Sequence, residues 1–254
     1  MPCEIHGVHD LALRERARAL GRAGASPATV AARLGLPTTT VYRWLTSRTP
    51  TDRQPPPTCF VCNDRPPLPA YAYLLGQYLG DGHLVTSARV PVLRIYACTD
   101  YPSVQAEISV AIGTVRGRPP GTVTIRSSSL VVAMQSYWTH WPCVLPQHGP
   151  GHKHSRSVEL ADWQRPIIAA DPWPLIRGLI HSDGCRALNR VVVRGKPYEY
   201  PRYFFANESR DILAIMGWAL DLVGVQWRYN RPNSISVAGR ASVGLLDTYV
   251  GPKA

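Results

Sequence analysis

Two apolar stretches with small residues at helical spacing stand out along the chain: Leu74–Gly82 (LLGQYLGDG) and Ile176–Gly184 (IRGLIHSDG). Each reads as a helical segment ending in Asp-Gly. Gly76 and Gly80 lie four apart in the first, Gly178 and Ser182 four apart in the second. Positions i and i+4 share a helix face, so each segment carries a shallow groove almost free of side-chain bulk. Laid together, two such grooves let backbones approach more closely than leucine-lined helices can. Asp81 and Asp183 then meet at the C-terminal tips, where each opposes the other and both oppose the helix dipole. Such a pair calls for a compensating cation.

Downstream of each motif the pattern repeats. After Gly82 come an alternating run at Val90–Cys98, a helix over Tyr101–Val115, strands at Val123–Arg126 and Leu130–Gln135, and an aromatic helix at Tyr137–Leu145. After Gly184 come strands at Val191–Arg194 and Arg202–Ala206, a helix over Arg210–Val223, strands at Val225–Tyr229 and Ser234–Val237, and a helix at Ala241–Val250. The runs beginning at Arg94 and at Arg202 fall in the same slot before the long helix. This order is the signature of an internal duplication.

Ahead of the duplication, Leu11–Arg22, Ser26–Leu34 and Thr38–Leu45 read as three short helices. Ser26-Pro27 is a start signal, and Gly35-Leu36-Pro37 is a tight turn. Ala31, Gly35 and Val41 have the spacing of a helix-turn-helix, and the segment resembles that of resolvases and many repressors. The resemblance places Thr38, Thr39, Thr40, Tyr42 and Arg43 on the side of a recognition helix that faces the major groove. A small protein-binding bundle is the other reading. The Pro-rich stretch 49–68 that follows is a linker by composition.

The formal charge of +11 over 254 residues points to a polyanionic partner, double-stranded DNA ahead of a membrane surface. No apolar run is long enough for a membrane span, and a cytoplasmic protein, nucleoid-associated in a bacterium, is the expected setting. Six cysteines without a secretory signal suggest reduced thiols or metal ligands. Cys59-x-x-Cys62 in the linker resembles half of a zinc site. Cys3 and His6, with His9 as the alternative imidazole, could supply the other half and make a structural Zn²⁺ site; ordinary thiols are the competing reading.

Tyr73–Gly82 (YLLGQYLGDG) and Pro174–Gly184 (PLIRGLIHSDG) together resemble the two signature helices of LAGLIDADG homing endonucleases, in the single-chain form that carries both. The resemblance implies an α+β fold: a pseudo-symmetric pair of αββαββα halves at 69–148 and 171–254, joined by 149–170 and preceded by an all-α helix-turn-helix domain at 1–48. It implies a monomer that hydrolyses both strands of specific DNA sequences, with Asp81 and Asp183 as ligands to two or more Mg²⁺ ions. By slot, Arg240 would take the part of the basic residue such sites carry, with neutral Gln135 as its first-half counterpart. Concave sheets would present Arg94, Arg126, Arg190, Arg194, Arg202 and Arg228 to DNA, with Lys153 and Lys196 as further contacts. The alternative is a non-cleaving transcriptional regulator on the same scaffold. Retention of both aspartates favours the nuclease, because a pure binder gains from losing their repulsion.

Overall fold

The structure, a computed structural model, describes residues 11–46, 59–63, 70–117, 123–126, 130–251 and 253. The chain divides into two units, Met1–Pro56 and Pro57–Ala254. In the first, α1 (Leu11–Arg22), α2 (Pro27–Leu34) and α3 (Thr38–Thr46) pack around Ala17, Val30, Ala31, Val41 and Trp44. The Ser26 hydroxyl caps α2 by accepting from the Thr29 N–H at 3.2 Å. Pro27 follows at the first helical position, where no partner for an N–H is needed. Gly35 closes α2 at φ 64°, a left-handed conformation that suits glycine.

The second unit contains two halves with one order of elements. The first runs α4 (Tyr71–Asp81), β1 (Gly82–Val85), β2 (Val92–Cys98), α5 (Pro102–Arg116), β3 (Val123–Arg126), β4 (Val131–Tyr137) and α6 (Trp141–Val144). A 3-10 turn at Lys153–Ser155 and α7 (Gln164–Ala170) lead into the second. That half runs α8 (Trp173–Asp183), β5 (Gly184–Val193), β6 (Lys196–Ala206), α9 (Arg210–Leu222), β7 (Arg228–Arg231), β8 (Ser234–Val237) and α10 (Arg240–Tyr249). Each half is αββαββα, and the antiparallel sheets are ordered β1-β2-β4-β3 and β5-β6-β8-β7. Leu93, Ile95 and Met134 of one sheet, and Tyr203, Phe205 and Ile235 of the other, join α4, α5, α8 and α9 in one buried core. The architecture is therefore α+β with two equivalent halves.

Three boundaries differ from the sequence reading. Strands β5 and β6 are longer than expected because they form a hairpin through Arg194-Gly195, both at positive φ (51° and 78°), the geometry of a two-residue turn. The aromatic helix shrinks to α6, because Tyr137 continues β4 opposite Val92 and the Trp138 N–H reaches the Pro91 carbonyl at 3.1 Å. The strand expected from Val225 begins at Arg228. Gly224 ends α9 at φ 67° and Val225 turns inward, its N–H on the Leu220 carbonyl at 3.0 Å. Among the described residues, no helix is long and apolar enough to cross a membrane.

Candidate active site at the tips of the paired helices

The small-residue faces of α4 and α8 do lie against each other. A Cβ placed on Gly76 would come 2.6 Å from the Leu175 carbonyl oxygen and 2.9 Å from the Gly178 Cα. One on Gly178 would collide with the Tyr73 carbonyl, and one on Gly80 would strike the Ser182 side chain and come 2.9 Å from Asp183 Oδ2. Helix backbones thus touch directly, and the carboxylates are carried to one place. Both helices hand over to a strand at the next residue. Gly82 and Gly184 are extended there (φ −89° and −101°), so crowding rather than left-handed geometry demands glycine. An added Cβ would lie 2.5 Å from the Tyr78 Cα in one case and 2.7 Å from the Ile180 Cα in the other.

Asp81 and Asp183 are both half-buried. Burial first, and the Asp183 charge second, push Asp81 up to about 6 against the opposing pull of Lys253 and Lys153. Among the described residues no group donates a hydrogen bond to Asp81. Asp183 is also raised by burial, while a hydrogen bond from Asn207 Nδ2 at 2.7 Å and the charges of Lys153 and Lys253 restrain the rise. Two hard oxygen donors, still short of compensating charge, are what a divalent cation with a preference for carboxylate oxygen requires.

Two lysines already offset part of the unfavourable helix-end charge. Lys153 Nζ donates to the carbonyls of Tyr78, Leu79 and Gly80 at 2.5, 3.0 and 3.0 Å. Lys253 Nζ donates to those of Ser182 and Gly184 at 3.0 and 2.6 Å. Each ammonium therefore caps the C-terminal end of one motif helix, complementing its dipole. Burial pulls Lys153 down to about 8 although Asp183 and Asp81 both favour its charged form; burial likewise lowers Lys253. Lys153, His83, His152, His154 and Asn207 line a cavity of about 440 Å³ beside Asp183. Lys253, Cys185, Arg186 and Tyr203 line one of about 530 Å³.

Sequence reasoning listed Lys153 only as a DNA contact and missed Lys253. A signal existed: Lys153 and Lys253 stand 100 residues apart, close to the 102 that separate Asp81 from Asp183. The slot assigned to Arg240 does not hold in the sheet register. Ile95 and Phe205 pair with the two glycines that follow the aspartates, so Gln135, beside Arg94, corresponds to Ser236, beside Phe204. Arg240 instead opens α10, exposed. By the same register Arg94 matches Phe204 rather than Arg202.

The remaining candidates are scattered. Thr38, Thr39, Tyr42 and Arg43 are exposed on α3 and Thr40 is half-buried. Arg94 Nε donates to Gln135 Oε1 at 2.7 Å, and Gln135 Nε2 to the Tyr137 hydroxyl at 2.6 Å, across one sheet. Arg190 is exposed and paired with Glu199 at 2.6 Å. Arg194 stands in the hairpin turn rather than on a strand, and exposed Lys196 opens β6. Arg228 is exposed at the start of β7. Arg202 is buried, 7% exposed, with its guanidinium 5.4 Å from the centre of the Phe204 ring. The Arg126 side chain, Cys3 and His6 lie outside the described residues. Cys59 and Cys62 are described, and they approach His140 and Cys143.

No protein-family model and no curated protein matches the chain. Solved structures to which it is similar include the LAGLIDADG meganuclease I-AabMI bound to uncleaved DNA, at 12% identity over 70% of this chain and 82% of that one, with a TM-score of 0.45. The I-SmaMI LAGLIDADG homing endonuclease bound to cleaved DNA aligns at 8% identity over 72% and 83%, TM-score 0.47. Mesophilic variants of the homing endonuclease I-DmoI align at 12% identity over 72% and 91%, TM-score 0.45.

Proposed function

We propose that this chain is a sequence-specific, double-strand DNA endonuclease of the LAGLIDADG type that works with Mg²⁺. The observation that carries the reading is the pair of half-buried carboxylates, Asp81 and Asp183, brought together by glycine-packed helices and flanked by one lysine each. Asp81 and Asp183 would hold the ions. When bound, these supply charge neutralisation to the phosphodiester and to its leaving oxygen. Asn207 orients the Asp183 carboxylate, and Lys153 and Lys253 fix the helix ends and favour ionised aspartates. The net charge of +11 draws the duplex in. Base reading falls to the polar and arginine side chains of the sheets, Arg94, Arg190, Arg194, Lys196 and Arg228 among them, and to α3 acting as the recognition helix of a helix-turn-helix.

A non-cleaving transcriptional regulator is the second reading, and one observation favours it: the three protons of Lys153 are engaged by helix carbonyls, which leaves none for a substrate. Incubation of the purified protein with a randomised duplex library and Mg²⁺ separates the two. The nuclease yields a defined double-strand break that disappears in Asp81→Asn and Asp183→Asn while binding persists. Intact duplex at saturating binding selects the regulator.

A further inference from the structure

We propose that Cys59, Cys62, His140 and Cys143 form a structural zinc site that fastens the segment before α4 to the turn after β4. The four ligand atoms, three Sγ and one imidazole nitrogen, all lie within 4.8 Å of one another. Cys62 Sγ stands 3.5 Å and Cys143 Sγ 3.8 Å from His140 Nδ1. A tetrahedral zinc ion with bonds of about 2.3 Å to sulfur and about 2.0 Å to nitrogen sets its ligands roughly 3.5–3.8 Å apart. The two separations from His140 Nδ1 are close to those of a loaded site, and the others stay within 4.8 Å. The chain spacing agrees, since Cys59-x-x-Cys62 and His140-x-x-Cys143 each bring two ligands from one tight turn. In the first turn, Asn63 supports the fold by donating through its backbone N–H and its Nδ2 to the Cys59 carbonyl, at 3.1 and 2.8 Å.

The donor set selects the ion. Three soft thiolates and an imidazole suit Zn²⁺, whereas Mg²⁺ takes oxygen ligands. Four protein ligands also complete the tetrahedron and leave no open position for substrate, which marks a structural rather than a catalytic site. His140 and Cys143 complete the set without Cys3 or His6.

The location explains the need. Helix α6 has only four residues, too few to hold by its own hydrogen bonds, and Cys59–Asn63 contributes Phe60 to the core. Phe60 packs edge-on against Tyr71 at 5.1 Å, and the Tyr71 hydroxyl donates to the Val144 carbonyl at 2.7 Å. A zinc cross-link there sets where α4 begins. Asp81 lies at the other end of that helix, roughly 15 Å away at 1.5 Å per residue, so this site is separate from the carboxylate pair.

The test is elemental analysis of the full chain purified without chelator. One zinc per chain is expected in the wild type, in Asp81→Asn and in Cys185→Ser, with near-complete loss in Cys62→Ser and His140→Ala. Should those variants fail to fold, cobalt reconstitution of the wild type gives the independent reading: intense visible bands from a tetrahedral, thiolate-rich site. Zinc-free wild type whose thiols alkylate as fast as in denaturant would overturn the proposal. So would zinc retained in both cluster variants, or zinc lost with Asp81→Asn.

Discussion

Asp81 is a half-buried carboxylate beside a second carboxylate, raised to about 6 from an ordinary 3.8. Because the value is raised, its contribution favours the folded state fully below about pH 4 and is lost as the pH rises through 6. By linkage the loss amounts to about 3 kcal/mol. Metal-free protein should therefore lose stability between about pH 4 and 6, and Asp81→Asn should lose less, keeping only the part that Asp183 contributes. At pH 7.5 in chelator, denaturant titration should find Asp81→Asn more stable than wild type by about 2–3 kcal/mol, the gap closing at pH 4. The lysines give a second expectation. Lys153→Met or Lys253→Met leaves helix-end carbonyls without their donor and should lower stability by about 1–3 kcal/mol in denaturant titration, with Arg restoring part of the loss. Asp81 and Asp183 were legible in sequence because each ends a periodic apolar run with Asp-Gly. The His140–Cys143 ligand pair was not, because Cys62 lies 78 residues from His140 and only the fold brings them together; the lysines showed in their spacing, but their helix-end partners did not.

The α4–α8 seam depends on residues that lack side chains. Any Cβ at Gly76 or Gly178 meets helix backbone, which cannot swing aside as a flexible side chain can. Gly76→Ala or Gly178→Ala should cost about 3 kcal/mol or more. Gly244 in α10 is the control: nothing lies within 4 Å of its Cβ position. Gly244→Ala should stabilise the protein by about 0.5–1 kcal/mol, both effects being read from thermal or denaturant unfolding. His181 belongs to the same seam. It is 4% exposed, burial and the Arg177 charge hold it down at about 4, and its ring stands edge-on to Tyr73 at 5.9 Å. It packs neutral at neutral pH. The seam was readable from the four-residue spacing of small residues. The β5–β6 hairpin was not, because Arg186, Leu188, Arg190 and Val192 all face outward and mask the usual alternation of apolar and polar residues. Only the turn at Arg194-Gly195 gives it away.

Across the whole molecule, the duplication seen in the order of predicted elements reappears as two sheets of identical strand order, each begun by the residue after an aspartate. Met1–Pro56 forms a unit of its own. Deleting it should leave the unfolding transition of the remainder in place while weakening duplex binding about 10²-fold or more through loss of a linked contact, as measured by titration at fixed salt. The proposed cleavage depends on the shared use of Asp81 and Asp183 as cation ligands over a phosphodiester. Anomalous scattering from Mn²⁺, substituted for Mg²⁺ in crystals of the protein with a bound duplex, tests that claim most directly. The expected result is density within coordinating distance of both carboxylates and of a DNA phosphate. Carboxylates bound only to lysine, with manganese absent or elsewhere, would contradict it.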